Sequence, residues 1–284
     1  MAEETEWLHG FTMGTSWKVC IRETKKNEGL RGLIQERLDA LEEIFSTYLP
    51  DSEISRFNKA GLNEEIELSP EMSEVLWFSL KLADVTGGRF DPTVFPLLKA
   101  KGLGAPQGIP PLGEGLFAVG WKHLDLNVAK RRCVKKAAVQ IDLSACAKGY
   151  AVDEICQLLA DHGCHEVLVE IGGDLRVVGQ HDWRVGIREY DRDQPVVRPQ
   201  ALRNAAVAGS GLDRGRKGAD SHLVDGRTRR FLPASNEVVA VQAGRCMVAD
   251  GLATAVLLLG KDGIPSMKLL DDFGGRVVRP DDSR

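Results

Sequence analysis

The chain has 284 residues, 43% of them hydrophobic and 27% charged, enough for one large unit or two modest ones sharing a core. A formal net charge of −4 and an isoelectric point near 5.9 leave no basic footprint for nucleic acid. No apolar run reaches the ~18 residues of a membrane span, and the cysteines form no C-x-x-C pair of a zinc ribbon or thioredoxin-type motif.

The elements follow in chain order. The start, MAEETEWLHG, is acidic and lacks a charged-then-apolar leader. The expectation is therefore a cytoplasmic protein, or a periplasmic or membrane-anchored one if a leader has been removed. Trp17, Val19 and Ile21 alternate and predict a strand over 15–23, after a turn at Met13-Gly14-Thr15. Leu30, Ile34, Leu38, Leu41 and Phe45 recur at helical spacing and predict a helix over 30–46. DSEISRFN (51–58) reads as a short helix capped by Asp51 or Ser52. Ser69-Pro70-Glu71 starts another helix, which Gly87-Gly88 end.

RFDPTVFPLL (89–98) carries two prolines and reads as a loop or irregular turn; the Gly/Pro-rich 101–115 reads as a surface insertion. AVQIDL (138–143) predicts a strand, and Val152, Ile155, Cys156 and Leu159 one face of a helix ending at Gly163. Further strands are predicted at 165–171, 175–179, 183–187 and 237–243, the first two joined through Gly172-Gly173-Asp174. Residues 246–260 are apolar almost all round, the mark of a buried helix. The six scattered cysteines, Cys20, Cys133, Cys146, Cys156, Cys164 and Cys246, are expected as reduced core residues.

Three stretches carry chemistry. In IDLSACAKGYAVDEI (141–155) a strand end meets a helix start, whose unpaired N–H groups and positive dipole favour phosphate. Lys148 adds a point charge, and Asp142 suits a ring N–H or a sugar hydroxyl; a plain turn with an incidental lysine stays open. In ADGLAT, Asp250 and Thr254 are four apart and stack on one helix face. An acid in so apolar a helix is costly unless paired or bound to a cation, and carboxylate plus hydroxyl suits magnesium. The alternative is an aspartate capping exposed amides. In SHLVDGRTRR (221–230), His222 is a candidate acid/base or ligand contact, with a structural role as the alternative.

In order, the stretches FTMGTSW, FSTYLPDSEISRFN, GGRFDPTVFPL, IDLSACAKGYAVD, VEIGGDLRVVG, HLVD and the ADGLAT helix followed by LLLG resemble the ApbE family, the FAD:protein FMN transferases, over residues 11–260. Together with the elements, the resemblance implies an α+β fold: two interlocked lobes of mixed or antiparallel sheet with flanking helices and FAD between them. No internal domain boundary is expected within 1–284. It also implies Mg²⁺-dependent transfer of FMN from FAD to a Thr or Ser hydroxyl of an acceptor flavoprotein, such as a redox subunit, with release of AMP.

By motif, Met13, Tyr48, Arg89, Phe90 and Asp91 would line the flavin nucleotide, Asp142 and Lys148 would hold it, and Val224, beside the catalytic candidate His222, would contact it through its backbone. The metal would take the Ala145 carbonyl, Asp250 and Thr254, with Ala253 near it. Two departures stand out. The family's usual Thr-Ser-Gly is Ala208-Gly209-Ser210-Gly211 here, and its Asp-Pro-Arg-Thr-Gly is Asp225-Gly226-Arg227-Thr228-Arg229. The competing readings are an FAD pyrophosphatase that releases free FMN and a non-catalytic FAD-binding or metal-trafficking accessory protein.

Overall fold

A computed structural model describes residues 5–22, 29–103, 118–191, 194–212, 220–260 and 263–278. It opens with a strand that the sequence does not announce: β1 (Glu6–Thr12) pairs with β2 (Thr15–Ile21) across a two-residue turn. The alternation of β1 is inverted. Trp7 and Phe11 are exposed, while Gly10 lies beneath Trp17, whose indole nitrogen would sit 2.5 Å from any added Cβ.

α1 (Leu30–Phe45) buries the five predicted residues. α2 (Glu53–Lys59) is capped by the Ser52 hydroxyl, which accepts from the Ser55 N–H at 3.2 Å. β3 (Glu65–Glu67) precedes α3 (Pro70–Val85), capped in the same way by Ser69. The stretch 89–98 is a 3-10 turn at Pro92–Val94 running into α4 (Phe95–Ala100), not a loop. Both prolines occupy the first turns, where no intrahelical amide is required, and Asp91 caps the Thr93 N–H at 2.8 Å. Most of the predicted insertion, 104–115, lies outside the described residues. β4 (Leu124–Asn127) and β5 (Arg132–Lys135) join β3 in a three-stranded sheet, order β3-β5-β4.

Residues 138–143 form no strand, and Leu143 already turns toward α5 with φ −112° and ψ 11°. Their backbone groups find partners elsewhere: the Asn58 side chain accepts from the Ile141 N–H at 2.7 Å and donates to the Ile141 carbonyl at 2.9 Å, and the Asp142 N–H donates to Pro92 O. A buried amide needs a partner, and one asparagine here replaces a neighbouring strand.

α5 (Ser144–Asp161) leads to β6 (Val167–Ile171), β7 (Asp174–Val178), β8 (Trp183–Asp191), β9 (Gln194–Leu202), β10 (Ala205–Gly211), β11 (Asp220–Asp225), β12 (Arg230–Pro233), β13 (Val238–Ala243), α6 (Cys246–Leu259), α7 (Ile264–Phe273) and β14 (Arg276–Val277). The main sheet has the order β1-β2-β6-β7-β10-β13-β14, and every recorded pairing is antiparallel. Period-two alternation assigns its two faces. Val19, Ile21, Val167, Val169, Ile171 and Val241 share a core with α1, α3, α5 and α6. On the other face Cys20, Leu168, Leu175, Val177 and Val207 pack under Trp183, Val185 and Ile187 of the β8–β9 hairpin. The fold is α+β, as expected. All six cysteines are buried and none is in a disulfide, and among the described residues no helix is long and apolar enough to cross a membrane.

Candidate active site

The site begins where α5 meets α6. An added Cβ at Gly149 would come within 2.4 Å of the Cys246 carbonyl oxygen, so the two backbones touch only because that side chain is missing. Gly149→Ala must push two main chains apart. Overpacking of this kind costs about 1–3 kcal/mol or more, several degrees of Tm in a chain of this size. Thermal melting checks this expectation; an unchanged Tm would show that the helices tolerate separation.

The contact brings together charges far apart in sequence. Asp250 is buried in the otherwise apolar α6, and its Oδ2 accepts from the Gly149 N–H at 3.1 Å. In a helix that amide ordinarily serves the carbonyl four residues back, here Ala145. Lys148 ion-pairs with Asp174 and lies 3.9 Å from Asp250, and Asp174 also accepts from the Gly209 N–H at 3.3 Å. Burial, then the neighbouring Asp174 charge, raises the Asp250 carboxyl above the ordinary range, against the opposing pull of Lys148. Burial depresses Lys148, but the Asp250 and Asp174 charges outweigh it and hold the ammonium above its ordinary value. Two carboxylates thus share one ammonium, an arrangement short of positive charge. One turn along α6, the Thr254 hydroxyl donates to Ser210 Oγ at 3.4 Å. Ala253 is fully buried beside it in sequence.

Asp174 and Ser210 line a cleft of about 650 Å³, with Thr15, Gly172, Gly173, Gly209 and His222 on its walls. His222 sits on β11 where the pairing with β12 is irregular, between Asp220 and Val224. Such an irregularity re-aims a side chain out of the ladder. The following turn is held by Arg89, whose guanidinium donates to Asp225 at 3.3 Å and to the Leu258 carbonyl at 3.2 Å, while the Gly226 N–H donates to Arg89 O. Arg229 takes a left-handed φ of 57° and closes the turn through its N–H to Asp225 O.

The remaining predicted residues stand as follows. Met13 occupies the β1–β2 turn at φ 48°, with its N–H donated to Glu42 at 3.3 Å. Tyr48 is exposed just beyond α1. Phe90 and Asp91 are buried, and the Asp91 carboxylate is occupied by Thr93 and by the Trp121 N–H. Burial raises the Asp91 carboxyl, and those hydrogen bonds oppose the rise. Val224 pairs with Phe231. Asp142 accepts from the Ser144 N–H at 2.7 Å, and the Cys146 and Ala147 amides turn back to Leu143 O. The start of α5 therefore keeps two of its orphan amides, those of Ser144 and Cys146, for itself, fewer for an anion than the sequence suggests. Asp174 and Ser210 were not singled out from sequence; a buried acid directly after Gly-Gly was the available signal.

A buried charge cluster opening into a polar cleft on an α+β scaffold is the build of an enzyme. The ApbE family model matches residues 13–273, and the chain belongs to that family. It is 32% identical over 280 residues to the FAD:protein FMN transferase of Vibrio cholerae serotype O1, covering 90% of this chain and 81% of the relative. To the FAD:protein FMN transferase of Escherichia coli K12 it is 30% identical over 282 residues, covering 92% and 80%. Among solved structures, the flavin transferase ApbE from Vibrio cholerae superposes with a TM-score of 0.84 at 28% identity, covering 99% of this chain and 95% of that one.

Proposed function

We propose that this enzyme transfers the FMN moiety of FAD to a Thr or Ser hydroxyl of an acceptor flavoprotein, releasing AMP, with Mg²⁺ bound at the α5–α6 contact. The observation that carries the reading is the charge deficit there: Asp250 and Asp174 are both buried, and Lys148 is their shared cation. Among the described residues no group of three or more His, Cys, Asp or Glu side chains could enclose a metal. An ion held by Asp250, Thr254 and the Ala145 carbonyl would keep room for water and phosphate oxygens, as magnesium prefers. Bound there, it would supply charge neutralisation on the pyrophosphate.

The chain's own residues do the rest. Lys148 places a positive charge behind Asp174 of the cleft wall, and the glycine-lined walls let backbone approach the nucleotide. His222, at the cleft wall, accepts the proton of the acceptor hydroxyl as its oxygen attacks the FMN phosphorus. A new P–O bond forms, the P–O bond to AMP breaks, and AMP departs with the bridging oxygen. Incubation with FAD and Mg²⁺, with and without a candidate acceptor, tests this by mass spectrometry. A flavinylated acceptor is expected. Free FMN plus AMP alone would make the enzyme a pyrophosphatase, and unchanged FAD would make it a carrier.

Met13 offers a sharper check. A Met-Gly turn with both residues at positive φ normally favours Asn at the first position. Keeping methionine there costs about 1 kcal/mol, which suggests that its side chain is needed against the flavin. Met13→Asn should raise Tm while weakening FAD binding by about tenfold, the worth of one lost apolar contact. Unchanged affinity, read by fluorescence titration, would remove Met13 from the flavin site.

A further inference from the structure

α6 has no cap of its own. The residue before it, Arg245, makes no capping bond, and its first turn contains no acid. The cap comes from another helix. Asp153, buried on α5, accepts from the Cys246 N–H at 2.9 Å through Oδ1 and from the Met247 N–H at 3.1 Å through Oδ2. Arg176 of β7 donates to the same carboxylate at 2.7 Å, and Arg245 Nε lies 3.4 Å from it. Four donors on one buried carboxylate is a fully committed side chain.

The bond is answered in the opposite direction, because Asp250 of α6 accepts from the Gly149 N–H of α5. Gly149 and Asp153 are four apart, hence neighbours on one face of α5. Each helix therefore holds the other's main chain at one turn's spacing, and the pair has a single axial register. A slide of one residue, about 1.5 Å, would break both clamps. The site straddles this contact: Ala145 and Lys148 ride on α5, Asp250 and Thr254 on α6.

We propose that Asp153 is a positioning residue for the cation and phosphate site, acting through the first turn of α6 to set Asp250 and Thr254 against Ala145 and Lys148. It touches no reacting atom. The proposal rests on the cation reading of Asp250 given above, so its test carries one readout that needs no metal. Asp153→Asn keeps the size but turns one acceptor into a donor that faces an amide or a guanidinium.

In FAD-free protein, Mn²⁺ binding followed by electron paramagnetic resonance should weaken by about 10–100-fold, the usual cost of losing an outer partner of a metal ligand. In metal-free protein, hydrogen exchange at the Gly149 amide should quicken, because the Asp250 carboxylate is no longer held against it. Val185→Ala, in the core under the β8–β9 hairpin, serves as a control that lowers Tm without touching either helix and should change neither readout. If Asp153→Asn does not fold, Arg176→Gln withdraws the nearest countercharge from the same carboxylate and carries the same expectations. Unchanged Gly149 exchange overturns the proposal whatever the metal does. Faster exchange alongside Mn²⁺ binding that Asp250→Ala leaves intact would keep Asp153's role and refute the cation reading instead.

Discussion

Asp250→Ala and Asp250→Asn are expected to fold and to lose FMN transfer by a factor of about 10² or more, the scale of removing one strong electrostatic stabiliser from a transition state. The two variants should differ in stability. Asparagine keeps an oxygen for the Gly149 N–H, whereas alanine removes that hydrogen bond at a cost of about 0.5–1.5 kcal/mol. The direction of the carboxyl shift adds a sign. Burial and Asp174 raise the native Asp250 above its unfolded value, so keeping it ionised costs stability once pH exceeds the ordinary carboxylate range. Metal-free Asp250→Asn at neutral pH should therefore melt no lower than the parent while losing transfer. Excess Mg²⁺ or Mn²⁺ should partly rescue Asn and not Ala. Thr254→Val should do less than either, since a neutral hydroxyl gives a cation less than a carboxylate. The capping account of Asp250 predicts a lower Tm with normal turnover, but Asp153 already caps α6. Full transfer by folded Asp250→Ala would sink the metal assignment.

His222→Asn should lower the transfer rate by about 10²–10⁴ while leaving FAD binding nearly intact. The expectation follows from placement: His222 lines the cleft, on a strand whose pairing with β12 is irregular between Asp220 and Val224. Weaker FAD binding with an unchanged saturated rate would instead assign His222 to nucleotide placement. That outcome would also separate its role from Asp250, whose loss strikes the chemical step.

Much of this site was legible because its signals are local. α6 could be read as buried from its own composition, and Asp250 with Thr254 as a stacked oxygen pair from a spacing of four. The Ser52 and Ser69 caps were legible for the same reason, each satisfied within three residues. Two misreadings share one cause, a partner distant in sequence. Residues 138–143 looked like a strand by composition, yet their ladder is the Asn58 side chain, 83 positions from Ile141. β1 escaped notice because its aromatic residues face outward and a glycine faces in, a pattern that makes sense only once Trp17 lies over Gly10.

The sequence by itself determined the order of the motifs, the boundaries of the long helices and the identity of the oxygen pair on α6, since these depend on residues within a turn or two of one another. Tertiary structure alone decided which charges meet. The sequence offers Lys148 as a point charge at a helix start, with an incidental lysine as the alternative, and packing sets it against two carboxylates, one from β7 and one from α6. Asp153, which no pattern in the sequence marks, caps another helix. Both outcomes depend on how closely α5 and α6 approach, and that distance is set by the absent side chain of Gly149 against the Cys246 carbonyl. Coulombic and hydrogen-bond partners are chosen by such separations of a few ångströms, and no local pattern in the chain encodes them.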